Sequence, residues 1–219
     1  MNLYINGMVT VHSDGGDITF VTKTEYPRSG LIRFAVNSKT PMLFTLSLRI
    51  PAWSKRTKLD VNGEEIPVTQ GYTHIRRLWR PGDMLQLELD MRTRVIRPIP
   101  YGSQILVNKP CWKANYIATT YDVENPEAKK HIALQRGPLV LAQDARLGYD
   151  VSVPVQLRIR EDGYIDTEMV AEQADFPHML QVRVPLADGK EMELVDYASA
   201  GKTWTDSSRM AAWIRVCKN

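Results

Sequence analysis

Phe44-Thr45-Leu46-Ser47-Leu48-Arg49-Ile50-Pro51 decides the fold class. Apolar residues fall at 44, 46, 48 and 50, with Thr45, Ser47 and Arg49 between them. Successive side chains of an extended chain point to opposite faces, so this period of two marks a strand with one buried side. Pro51 has no N–H to donate and closes the ladder.

The same rhythm continues on both sides. Lys58–Val61 and Glu64–Val68 flank Asn62-Gly63, a pair suited to the positive φ angles of a tight hairpin turn. Tyr72–Leu78 and Met84–Asp90 read as a second hairpin around Arg80-Pro81-Gly82-Asp83, with Leu85, Leu87 and Leu89 inward and Gln86, Glu88 and Asp90 outward. Upstream, Ile18–Lys23 and Leu31–Val36 are strands parted by a turn at Tyr26–Gly30. Downstream, His131–Leu134, Leu139–Ala142, Val155–Ile159, Met179–Val184, Met192–Val195 and Ala212–Val216 are strand candidates. Short helical turns are expected at Asn125–Lys130 and Met169–Ala174 only. The two prolines of Arg97-Pro98-Ile99-Pro100 break the rhythm and place a joint there. The expected fold is therefore all-β: two consecutive antiparallel β-sandwich, jelly-roll-like domains, residues 1–97 and 98–219. The irregular stretch Tyr101–Lys130 is long enough to be functional or interfacial.

Composition bounds the function. A hydrophobic fraction of 43% and a charged fraction of 24% are those of a globular protein, and no apolar run reaches a bilayer span. The net charge of +3 comes from cations scattered among acids, so neither nucleic acid nor a membrane is an expected partner. Cys111 and Cys217 have no ligand spacing around them and read as separate thiols packed as small hydrophobes, with a single disulfide as the alternative. The opening Met1–Gly7 lacks the basic-then-apolar order of a secretory signal and reads as a strand, as though the chain were a piece of something longer.

Catalytic motifs fail on inspection. Gly201-Lys202-Thr203 ends like a phosphate loop, but Asp196 stands where the first glycine belongs. No Gly-x-Ser-x-Gly elbow occurs, and His12, His74, His131 and His178 are too far apart in sequence for ligand spacing. Glycoside hydrolysis needs two convergent carboxylates. Glu64 and Glu65 are neighbours in a strand and diverge, while Asp122, Glu124 and Glu127 share their stretch with Lys129 and Lys130. Aromatic side chains suit the C–H faces of sugars better, and Trp53, Trp79, Trp112, Tyr116, Tyr121 and Trp204 fall near strand ends or in loops. Of these, Trp53, Trp112, Tyr116, Tyr121 and Trp204 are the candidate carbohydrate or interface contacts. The competing reading fills core edges with the same rings.

Four stretches, in order, carry a resemblance: Leu48-Arg49-Ile50-Pro51-Ala52-Trp53, Val61-Asn62-Gly63-Glu64, Trp79-Arg80-Pro81-Gly82-Asp83, and His131-Ile132-Ala133-Leu134-Gln135-Arg136-Gly137-Pro138-Leu139-Val140. Together they resemble the region after the catalytic barrel in glycoside hydrolase family 127. Asn2-Leu3-Tyr4-Ile5-Asn6 is similar to the strand by which that family leaves its barrel. Members are β-L-arabinofuranosidases with an (α/α)6 barrel followed by two β-sandwiches. The resemblance implies a cysteine nucleophile in a zinc site of three cysteines and a glutamate, with another glutamate as acid/base, all in the barrel. No catalytic residue carries over to Cys111, Cys217 or any carboxylate here, and no cofactor is expected in this chain. Arg136-Gly137-Pro138 is expected to turn the chain, with Arg136 left to pair with a carboxylate across a domain face.

Three functions follow as expectations. The first is a non-catalytic accessory region of a bacterial glycoside hydrolase, partnered by the barrel and by copies of itself. The second is a stand-alone carbohydrate-binding module. The third, an enzyme in its own right, ranks last. A supporting region should expose apolar surface at Leu3, Tyr4, Ile5 and Trp53. A binding module should expose an aromatic platform rimmed by hydrogen-bonding groups.

Overall fold

The computed structural model describes residues 1–98, 127–171, 180–200, 205–206 and 208–217. The chain divides into two compact units, one of Met1–Arg92 with Arg136–Leu139, the other of Thr93–Gln135 with Val140–Asn219. Regular structure among the described residues is all-β apart from 3-10 turns at Ala128–Lys130 and Ala145–Leu147.

The first unit is a sandwich. One sheet comprises β1 (Gly7–Ser13), β2 (Gly16–Thr24), β3 (Leu31–Ser38), β5 (Lys58–Val61), β6 (Glu64–Glu65) and β8 (Asp83–Glu88), in the order β1-β2-β3-β8-β5-β6. The other pairs β4 (Met42–Ile50) with β7 (Gly71–Trp79), antiparallel along their whole length. Alternation in each strand sends one set of side chains inward. Ile18, Phe20, Ile32, Phe34, Val36, Leu59, Val61, Leu85 and Leu87 of the larger sheet share one core with Leu46, Leu48, Ile50, Ile75 and Trp79 of the smaller. Each such side chain removed from water contributes about 1.5–3 kcal/mol, which is what binds two sheets that share no hydrogen bonds along these orders. Asn62 and Gly63 have φ of 54° and 86°, as the Asn-Gly turn requires.

Several expectations are corrected here. Arg80-Pro81-Gly82-Asp83 does not close a hairpin: β7 pairs with β4, and β8 pairs with β3 and β5, so the turn carries the chain from one sheet to the other. Asp90, expected outward, is buried at the end of β8, where Ser54 Oγ accepts a 2.8 Å hydrogen bond from its N–H. Trp79 is entirely buried, stacked on Phe44 at 5.5 Å with its Nε1–H donating to the Phe44 carbonyl, so it is core and not a sugar contact. Tyr4, expected to face water, is buried between Tyr26 and Phe34, its hydroxyl donating to the Arg49 carbonyl; Leu3 and Ile5 on either side are exposed. The opening residues form no strand, although Met1 lends its carbonyl to the Arg49 N–H at the edge of β4. β6 stops at Glu65 because Pro67 ends the ladder after Ile66 N–H has reached the Leu59 carbonyl.

The second unit carries β9 (Thr93–Ile96), β10 (His131–Arg136), β11 (Leu139–Asp144), β12 (Tyr164–Ile165), β13 (Glu168–Met169), β14 (Gln181–Pro185), β15 (Glu191–Asp196), β16 (Met210–Ala211) and β17 (Ile214–Arg215). Their order is β12-β9-β10-β11-β15-β14-β13, with β16 added to β11 and β17 to β10. Its buried apolar residues include Ile132, Leu134, Leu141, Val182, Val184, Met192 and Leu194. Met169 lies in β13, so no helical turn starts there; 172–174 are outside the described residues. Val155–Ile159 contributes only isolated bridges, Val155 to Val216 and Leu157 to Leu186. The 3-10 turn at Ala128–Lys130 occupies the described part of the expected Asn125–Lys130 turn.

Candidate functional site

Of the five aromatic candidates, Trp53 alone is described; Trp112, Tyr116, Tyr121 and Trp204 lie outside the described residues. Trp53 is half-buried and packs against the sandwich core of the first unit. Gly137, at φ 53°, comes so close that a Cβ there would stand 3.5 Å from the Trp53 ring and 2.5 Å from Met91 Sδ. The positive φ and this approach are why glycine occupies the Arg136-Gly137-Pro138 turn. Beside Trp53, Ser54 is a buried hub: its hydroxyl meets Thr57 Oγ1 at 2.6 Å and the Asp90 N–H, and its carbonyl accepts from Gln70. Trp53 thus packs beside a buried, hydrogen-bonded hub with part of its ring open to solvent. The Nε of Arg136 is buried without a hydrogen-bond partner among the described residues, and burial lowers the guanidinium pKa.

Among the described residues, the buried carboxylates Asp83, Asp90, Asp144 and Asp196 are all committed to hydrogen bonds. Burial pushes the Asp90 carboxyl up, but hydrogen bonds from the Arg92 side chain at 2.9 and 2.7 Å and from its backbone outweigh this and hold it below the usual range. Burial likewise raises Asp83, and the Arg80 N–H and the Asn62 amide more than offset it. Asp144 grips Arg146, and Asp196 accepts from the N–H groups of Leu180 and Ser199. Among the described residues no group of three or more His, Cys, Asp or Glu could hold a metal ion. Cys217 is a free, exposed thiol, not the packed hydrophobe expected. It lines a cavity of about 250 Å³ in the second unit with Arg97, Lys129 and Gln156 over an aliphatic floor.

The arrangement with most recognition chemistry lies elsewhere, on the outward face of β4 and β7. Alternation turns Leu43, Thr45, Ser47 and Arg49 of β4, and Tyr72, His74, Arg76 and Leu78 of β7, away from the core. The register sets Arg49 opposite Tyr72, Ser47 opposite His74, Thr45 opposite Arg76 and Leu43 opposite Leu78. Tyr72 and His74 hold nearly parallel rings, 19° apart with centroids 6.4 Å from one another. Each ring has one side-chain tether: the Tyr72 hydroxyl donates to Asn2 Oδ1 at 2.8 Å, and Ser47 Oγ lies 2.7 Å from His74 Nδ1. Tyr72 remains 43% exposed, so its ring is held and still open to solvent. Sequence reasoning missed this face. The signal was the outward set Tyr72, His74 and Arg76 on an alternating strand, but the assumed hairpin paired that strand with the wrong neighbour.

Comparison with known proteins gives the family context. Residues 1–91 match the family model described as the β-L-arabinofuranosidase GH127 middle domain. Three solved structures share the fold. A GH127 β-L-arabinofuranosidase from Geobacillus stearothermophilus T6 superposes with a TM-score of 0.72 at 20% identity, over 98% of this chain and 33% of that one. A GH127 β-arabinofuranosidase gives 0.69 at 19%, over 98% and 34%. A glycoside hydrolase gives 0.65 at 18%, over 99% and 36%. This chain therefore spans about a third of the enzymes it resembles. No curated protein matches its sequence.

Proposed function

We propose that the chain is a non-catalytic accessory region of a bacterial glycoside hydrolase of β-L-arabinofuranosidase type, acting on plant-type glycans. Its partners are the catalytic barrel, which supplies the zinc and the reacting groups, and a second copy of the chain. The observation that carries this reading is the match of residues 1–91 to the GH127 middle domain. It is supported by the commitment of Asp83, Asp90, Asp144 and Asp196 to structural hydrogen bonds, which leaves these acids no role in bond cleavage. Exposed Leu3 and Ile5 beside buried Tyr4 offer apolar surface for a neighbour to cover.

Reading the genomic DNA immediately upstream tests the proposal. It predicts a coding sequence, in frame or directly adjacent, for a helical barrel carrying three cysteines and a glutamate. An unrelated upstream gene, with the chain expressed and secreted or stored on its own, would overturn it.

A further inference from the structure

We infer that the outward face of β4 and β7 is a binding site for an anionic oligosaccharide, a role beyond support of a barrel. This face combines two cations that no acid on it answers with two tethered rings. Arg49 and Arg76 are exposed and make no ion pair or side-chain hydrogen bond among the described residues, and none of the eight outward side chains is a carboxylate. Four other arginines are answered by carboxylates, Arg92 by Asp90, Arg146 by Asp144, Arg160 by Asp162 and Asp166, and Arg183 by Glu191 and Glu193, whereas Arg49 and Arg76 share one face with no acid on it. Two planar guanidinium forks left open on one face match the geometry of carboxylate or sulfate oxygens.

Between and beside them stand the rings of Tyr72 and His74. Sugars present C–H faces that settle on such rings, while the exposed Thr45 offers a hydroxyl for a further hydrogen bond. Because Asn2 and Ser47 already hold the rings, little side-chain freedom remains to be lost on binding. From Tyr72 to Arg76 the strand rises about 13 Å, an extent that suits several linked sugars better than one. Leu43 and Leu78 close the far end of the face with apolar surface.

Isothermal titration of the whole 219-residue chain tests this with three probes: tetragalacturonate, a heparin-derived tetrasaccharide and neutral xylotetraose. Binding of at least one acidic probe is expected, about tenfold tighter than the neutral one. Tyr72→Ala should weaken it about tenfold, the double variant Arg49→Gln with Arg76→Gln should remove the preference for acid, and Tyr72→Phe should keep most of the affinity. Arg158→Gln, exposed in the second unit, is the charge control and should change nothing. Arg49 and Arg76 are exposed, so the thermal midpoint of the double variant should stay put, and the midpoint of Tyr72→Ala, measured alongside, separates lost binding from lost folding. Carboxylate and sulfate sources are told apart by which acidic probe binds. Equal binding of the neutral probe, equal loss on Arg158→Gln, or insensitivity to Tyr72→Ala would overturn the proposal. So would absence of all saccharide binding with Tyr72 and His74 amides protected in an assembled form, which would mark a protein interface. The upstream gene has no bearing on any of these outcomes, so this proposal and the accessory role can fail separately.

Discussion

Asn62 Nδ2 donates to Asp83 Oδ1 at 2.9 Å, joining the Asn-Gly turn to the turn that crosses between the sheets. Asn62 also accepts the Met84 N–H at 2.8 Å, and Asp83 accepts the Arg80 N–H at 2.8 Å. Two turns 21 residues apart are thereby locked to one another by side chains that each serve two partners. Asn62→Ala and Asp83→Ala should each cost about 1–2 kcal/mol in urea unfolding, and the double variant less than the sum, since both remove one shared bond.

Acid should destabilise the first unit through Asp83 and Asp90. Both have folded pKa values below the ordinary aspartate range, so the unfolded chain takes up protons first as pH falls. Their stabilisation is complete above the unfolded aspartate pKa and is lost as pH falls through the folded values. Urea midpoints measured from pH 7 down to pH 2 should decline below the ordinary aspartate range, and Asp83→Asn with Asp90→Asn should flatten that decline while lowering the pH 7 midpoint.

Two glycines separate backbone clash from backbone conformation. A Cβ on Gly30 would stand 2.3 Å from the Leu89 carbonyl oxygen, whose own N–H donates to the Gly30 carbonyl at 3.0 Å. At Gly137 the nearest atoms are the tip of Met91, which can swing aside, and the cost comes mainly from the positive φ. Gly137→Ala should therefore cost about 1–2 kcal/mol, and Gly30→Ala about 3 kcal/mol or more, by thermal or chemical unfolding.

Much of the first unit was legible because its signals are local. Period-two alternation at 44–50, the Asn62-Gly63 turn and the inward Leu85 and Leu87 depend only on neighbours in sequence, and the structure realises each. What could not be read was which strand meets which. A Pro-Gly turn between two strands reads the same whether they pair or part into different sheets, and here they part at Arg80–Asp83. The face holding Arg49, Tyr72 and His74 exists only because β4 meets β7, so it was invisible for the same reason. Tyr4 escaped because burial of one residue between exposed Leu3 and Ile5 depends on the Tyr26–Phe34 pocket, which lies far along the chain.

Self-association should proceed through β1. That strand ends its sheet among the described residues, all seven of its residues are exposed, and Met8, Val9 and Val11 offer apolar side chains beside a backbone edge that no described strand pairs. Sedimentation velocity should reveal a concentration-dependent dimer, and Val9→Lys with Val11→Lys should return it to monomer. A strict monomer at high concentration would remove this role from β1.

The claim that this chain supports chemistry without performing it meets its most direct test in a hydrolysis assay. The purified chain, supplied with zinc, is incubated with an aryl β-L-arabinofuranoside. The account predicts arabinose release no faster than the buffer blank. Release above the blank, with stoichiometric bound zinc and loss of both on Cys111→Ala, would contradict it.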